Sequence, residues 1–335
     1  MTGAPLRQSR AARDAPLSGA VDAPIRVGIS ACLLGREVRF DGGHKRDAYI
    51  NGTLSRYFQF VPLCPEAEVG LGVPRQPIRL QRTTAGVRAL GAKDPGLDPT
   101  DDLDAFGRAT AQRLGDLSGF IFKSNSPSCG MERVKIHGEE NCPPAREGRG
   151  IFAAAFMASL PLVPVEEEGR LGDPELRENF IERVFVYHRW RRLALDLTAP
   201  GLVAFHAAHK YQILSHSQRA HDALGRLVAN LKGNELATRA PEYVATLMQA
   251  LAIPAGPEQH LKVLQHLLGY LKDDLDSGDR AELVETFEQY RSRRLPLVVP
   301  ITLLRHHFRH HPDPDVQRQY YLDPHPRELM LRNRI

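Results

Sequence analysis

The strongest constraint on this chain is an alternation. Between residues 25 and 165, short apolar runs bounded by Gly or Pro take turns with segments of helical spacing. Residues 25–29 (IRVGI) and 58–63 (FQFVPL) suit strands buried in a parallel sheet, where both faces are covered. Residues 101–117 place Leu103, Phe106, Ala109, Ala111 and Leu114 on helical spacing and run into residues 119–122 (GFIF), another buried-strand candidate. Residues 151–159 predict a helix and residues 162–165 a further strand. Such an alternation predicts a parallel sheet with right-handed crossovers. Residues 67–100, rich in Gly, Pro and Arg, predict long loops.

The texture changes near 196–201. Residues 173–196 predict one helix, opened by Asp173 as cap with Pro174 in the first position. LTAPG at 197–201 breaks it, and helical segments follow near 202–231, 241–252, 258–276, 279–294 and 300–310. A chain of 335 residues is expected to form two domains. These are an α/β parallel-sheet N-terminal domain over 25–168 and an all-α C-terminal domain over 201–335, joined by a connecting helix over 169–200. Residues 1–24 have no apolar period and predict a disordered tail. No apolar run reaches the roughly 18 residues of a membrane span, and no secretory core opens the chain. A reduced, cytoplasmic protein is expected, with no membrane association and no obligate protein partner. Four cysteines cannot staple a chain of this length, so each needs its own explanation.

Cys32, Cys64 and Cys129 each follow a different predicted strand. The functional crevice of an open parallel sheet lies outside the carboxyl ends of its strands, so the three would converge there. As core residues they would be small buried hydrophobes. As a site they suit a cubane iron–sulfur cluster or a three-sulfur zinc centre. No CxxC motif is present, and no histidine lies close in sequence to complete an open zinc site. The flanks favour a site over a core. Cys64-Pro65-Glu66 places a carboxylate beside one thiol, and Lys123, Ser124, Asn125 and Ser126 precede Cys129 on one loop. Arg39, Lys45 and Arg75 add positive charge for an anionic ligand. Cys142, in an Asn-Cys-Pro-Pro loop, reads as a spare thiol.

Eleven of the 14 histidines lie beyond residue 200. His209, Gln212, His216 and Arg219 recur on one helical face, flanked by Lys210. Arg191-Arg192, RSRR at 291–294 and RHHFRHH at 305–311 add basic clusters. Phosphate backbones bind such surfaces without reading sequence. The competing reading is an ordinary solvated face, because residues 200–335 carry 17 Lys and Arg against 15 Asp and Glu.

SACLLG at 30–35, VRFDGG at 38–43, VPLCPE at 61–66, GLGVPRQPIRL at 70–80 and FKSNSPSCG at 122–130 together resemble the thiouracil desulfidase family over roughly residues 25–165. AHKYQILSHS at 208–217, LQHLLGYLK at 264–272, LVVPITLLRHH at 297–307 and LDPHPRELMLRN at 322–333 resemble the YbgA-type helical domain. The fusion is similar to the RudS family, desulfidases that act on 4-thiouridine in transfer RNA. The resemblance implies a 4Fe-4S cluster on Cys32, Cys64 and Cys129, with one iron left open for the substrate's sulfur. It also implies catalytic roles for Glu66 and Ser124. Ser126, Lys123, Arg75 and Asn125 are expected around the substrate, and His209, Lys210, Gln212, His216 and Arg219 on the RNA. One position departs from the pattern: Phe40 stands where tyrosine is expected. The alternatives are a desulfidase of free thiolated bases and a non-catalytic, metal-containing RNA-binding protein.

Overall fold

A computed structural model describes residues 23–138, 143–232 and 235–334. The tail expected over 1–24 lies almost wholly outside the described residues, and Cys142 lies outside them too. In chain order the first part contains β1 (Ile25–Ser30), α1 (Ala48–Gly52), β2 (Phe58–Leu63), α2 (Pro65–Glu68), β3 (Ile78–Thr83), β4 (Gly86–Gly91) and α3 (Thr100–Arg113). It continues with β5 (Gly119–Phe122), β6 (Val134–His137), β7 (Ala145–Gly148), α4 (Ile151–Ser159) and β8 (Val165–Glu167). The rest is helical: α5 (Pro174–Ala194), α6 (Ala199–His216), α7 (Gln218–Ala229), α8 (Leu236–Leu251), α9 (Pro257–Tyr270), α10 (Ser277–Arg291), α11 (Val298–His310) and the short α12 (Pro314–Gln317).

The main sheet has the order β2-β1-β5-β8 and every pair in it is parallel. Side chains of β5 alternate between its faces as the pleat requires. Phe120 and Phe122 point toward α3 and α4, where they meet Phe152 and Phe156, and all four rings are fully buried. Each such ring contributes about 1.5–3 kcal/mol of burial. Ile121 points the other way, onto Phe180, Ile181 and Val184 of α5. Gly28 of β1 has no room for a side chain, since a Cβ there would stand 2.3 Å from the Phe120 ring.

Residues 67–100 are not the long loops expected. They hold β3 and β4, an antiparallel hairpin that joins a second sheet of order β4-β3-β6-β7. Ile78 and Leu80 face a small core with Ala89, Leu103, Val134 and Ile136, while Arg79 is half-buried and Arg82 exposed. That outer face is what makes the segment read as loop. The strand expected over 162–165 is displaced to Val165–Glu167, which buries Glu166 and Glu167 to 3% and 6% exposure.

The expected connecting helix is a shared wall. α5 presents Phe180, Ile181 and Val184 to the sheet core, and Val186 and Trp190 to the helical core. LTAPG is a helix start, not only a break: the Thr198 hydroxyl accepts from Gly201 N, with Pro200 in the first turn of α6. The long segment over 202–231 is two helices, because Ser217 caps α7 by accepting from Ala220 N. α6 is central, packed by α5, α7, α8 and α9. Far along the chain, Leu329 is buried in the first domain's core and Leu331 packs against it. Arg332 then pairs with Glu178 of α5 at 3.1 Å. Among the described residues no helix is long and apolar enough to cross a membrane.

Candidate functional site

Each of the three cysteines sits at the carboxyl end of a different, adjacent strand of the main sheet. Cys32 lies in the 3-10 turn Ala31–Leu34 that follows β1, and Gly35 ends that turn at φ +94°, a conformation that suits glycine. The Cys32 carbonyl accepts from Lys45 N at 2.9 Å and Gly35 N at 3.2 Å. Cys64 follows β2 directly and its carbonyl accepts from Glu68 N at 3.0 Å, while its Sγ donates to Val38 O at 3.5 Å. Cys129 sits in a turn after β5, where the Ser126 hydroxyl accepts from the Cys129 and Ser128 amides at 3.1 and 3.3 Å.

Burial pushes the Cys32 thiol up to about 11, and the nearby Cys64 adds to the rise. Burial also pushes Cys129 up to about 12, with Glu66 and Cys64 adding to it. Cys64 is raised by burial as well. Lys123 and Arg39 act the other way on Cys32, and Arg75 acts the other way on Cys64. These are thiols that stay neutral until a metal displaces their protons.

Two carboxylates flank the thiols. Glu66 Oε1 accepts the Ser128 hydroxyl at 2.6 Å. Its Oε2 accepts from Arg75 Nε at 2.8 Å and lies 2.7 Å from Nη2. Arg75 also donates to Val38 O at 3.1 Å, and its side chain is only 5% exposed. Arg75, expected at the substrate, pairs with Glu66. The Ser128 hydroxyl lies 3.7 Å from Cys129 Sγ and 3.0 Å from the Ser126 hydroxyl, so Ser128 links Glu66 to the Cys129 turn, a role the expectation placed on Ser124.

The second carboxylate, Glu168, was also missed. It follows β8, and placing that strand at 162–165 hid it in the EEE run at 166–168. Glu168 Oε2 accepts from Ser124 N at 2.7 Å, and its Oε1 accepts the Ser124 hydroxyl at 2.8 Å and pairs with Lys123 Nζ. Lys123 also donates to the Ser124 hydroxyl at 3.0 Å. Lys123 is therefore held, where a strand-end lysine is ordinarily solvated. Asn125 is exposed at φ +57°. Beside these, Glu167 accepts from Met131 N at 2.7 Å and steadies the chain just past Cys129.

Among the described residues no three His, Cys, Asp or Glu side chains converge closely enough to hold one metal ion. Three soft thiols on adjacent strand ends, with Lys123, Arg39 and Arg75 nearby to offset thiolate charge, are a donor set of the kind an iron–sulfur cluster takes.

The RNA-facing stripe expected on α6 is corrected. His209 and Gln212 are each 1% exposed, and the His216 side chain is 2% exposed. His209 Nδ1 lies 2.7 Å from Phe205 O, and Gln212 Nε2 donates to Glu182 at 2.7 Å. His216 Nδ1 lies 2.6 Å from Ile253 O. Burial pushes His209 down to about 3, so it carries no charge at neutral pH. The periodicity was real, but a helix packed on several sides buries its polar face too. Lys210 is half-buried 5.0 Å over the Tyr211 ring, and Arg219 alone of the five is exposed.

An α/β domain with thiols at its strand ends, fused to a helical region, has recognisable relatives. Residues 27–168 match the family described as 2-thiouracil desulfurase, and residues 210–326 match a family described as protein of unknown function DUF1722. A [4Fe-4S]-dependent thiouracil desulfidase of known structure, TudS, is similar at 25% identity, over 44% of this chain and 93% of that one, with a TM-score of 0.35. The uncharacterized protein YbgA of Escherichia coli strain K12 is 31% identical over 153 residues, which are 45% of this chain and 90% of that protein. The chain belongs to the YbgA family, with a 2-thiouracil desulfurase-like domain joined to the YbgA-like one.

Proposed function

We propose that this protein is a 4Fe-4S-dependent desulfidase that removes sulfur from 4-thiouridine in transfer RNA, giving uridine and hydrogen sulfide by net hydrolysis. The reading is supported above all by one arrangement: Cys32, Cys64 and Cys129 past the ends of three neighbouring parallel strands, with the Glu66–Ser128 and Glu168–Ser124 pairs beside them. The three thiolates hold the cluster, which supplies a soft Lewis acid for a thiocarbonyl sulfur when bound. The chain's own groups do the rest. Glu66 takes a proton from the water that attacks the ring carbon and returns it to a product. Arg75 and Ser128 fix that carboxylate through its two oxygens. Ser124, oriented by Glu168 and Lys123, donates toward charge developing on the pyrimidine. A polynucleotide substrate is favoured by the fused helical region, since a stacked base must be presented to a buried site.

Anaerobic purification followed by a visible spectrum and a sulfide assay tests this reading. The expected result is a brown protein that releases sulfide from thiolated transfer RNA faster than from free 2-thiouracil. Serine at Cys32, Cys64 or Cys129 is expected to remove the colour. A colourless, zinc-containing protein that releases no sulfide from either substrate would overturn it. Equal or faster turnover of the free base would keep the chemistry and discard the RNA substrate.

A further inference from the structure

We propose, resting on the transfer RNA reading above, that the RNA phosphate backbone docks in a wide basic groove across the helical region and not on the α6 stripe. The groove has a volume of about 1350 Å³, above the 300–1,000 Å³ typical of small-ligand pockets. Its walls are the end of α5, one side of α6, α11 and the segment over 316–333. Gly201, Ala204 and Ala208 keep the α6 side low. Arg189, Arg192, Arg305, Arg309, Arg318 and Arg327 line it, and the acidic residues in the lining are Asp196 and Asp323. Asp323 pairs with both Arg305 and Arg327 and so fixes two of these guanidinium groups in the wall. Counting Arg332, seven arginines line the groove against two acidic residues.

The floor is aromatic. The Arg189 guanidinium lies 3.7 Å from the centroid of the Tyr320 ring, and His209 lies 4.6 Å from the same ring while stacking on Phe205 at 4.0 Å. His209 Nε2 is buried in the groove wall without a hydrogen-bond partner among the described residues. Guanidinium forks match phosphate oxygens in pairs, and a row of them gives salt-dependent, sequence-independent binding. The sequence expectation put that role on His209, Lys210, Gln212, His216 and Arg219 and on basic clusters that include Arg192, Arg305 and Arg309; of these, only the three arginines and His209 line the groove.

The test is a fluorescence-anisotropy titration of the full chain with thiolated transfer RNA at several salt concentrations. Arg309→Glu with Arg318→Glu changes two exposed groove positions. Arg280→Glu, exposed on α10 outside the groove, is the control. In the double variant, affinity is expected to fall at least about tenfold and the salt slope to become shallower by about two. Sulfide release from free 2-thiouracil and the binding of Arg280→Glu are expected to stay unchanged. Unaltered affinity and slope in the double variant would overturn the groove, and so would an equal loss in Arg280→Glu. If the parent binds transfer RNA through the groove but releases no sulfide from any thiolated substrate, the desulfidase reading fails and the groove stands.

Discussion

Glu66 has both carboxylate oxygens engaged, one by Ser128 and the other by Arg75, and Arg75 and Ser128 are themselves buried. The two halves of such a pair fail differently. Glu66→Gln keeps the shape but removes the proton acceptor. Sulfide release is expected to drop roughly 10²–10⁴-fold while the visible spectrum is retained. Arg75→Ala leaves a carboxylate with little solvent and no counter-ion, which is expected to cost about 3–5 kcal/mol. Denaturant unfolding of the two variants separates these effects. A Glu66→Gln protein that turns over normally would remove Glu66 from the chemistry.

At the scale of elements, the start of α4 packs directly against the backbone of the Cys129 turn. A Cβ on Gly150 would stand 2.5 Å from the Ser128 carbonyl and 2.7 Å from Cys129 N. These are backbone atoms and cannot rotate aside. Gly150→Ala is therefore expected to push the Cys129 turn away, lowering iron and visible absorbance per chain while the helical core still unfolds cooperatively. Normal iron content in that variant would mean that the turn yields more easily than its packing implies. The same elements explain how far the sequence could be read. β1 and β5 were legible because both of their faces are buried, and the edge strand β2 because its run is apolar at all but one position, and with them the positions of Cys32, Cys64 and Cys129. β3 and β4 were not, because half their side chains are arginines and polar groups. Glu168 and Ser128 depend on which strands and loops meet in space, which no local pattern reports. The α6 stripe misled because polar spacing does not say whether a helix lies at the surface.

Across the whole molecule, the helical region carries a pH dependence built from buried imidazoles. Burial pushes His209 and His260 down to about 3, and His206 and His325 down to about 4. The unfolded chain binds protons at these sites near pH 6.5, well above where the folded chain does. Stability is thus fully present above about pH 6.5 and is lost progressively as pH falls toward 3–4. Trp190, the chain's one tryptophan, is stacked 5.7 Å from Tyr243 inside the helical core and reports on it. Its fluorescence is expected to show a melting temperature that declines from pH 7 to pH 5, with a shallower decline in His209→Gln. A flat profile would mean that the imidazoles gain their protons without unfolding.

Leu329, Leu331 and Arg332 reach back to the sheet core and to Glu178 of α5, and this sets an order of assembly. A ribosome makes the α/β half first. Its hydrophobic core stays open on one side until residues more than 130 positions beyond α5 have been made and folded back. The half that carries the thiols is the first to be synthesised, and Leu329 and Leu331 are among the last residues to join its core.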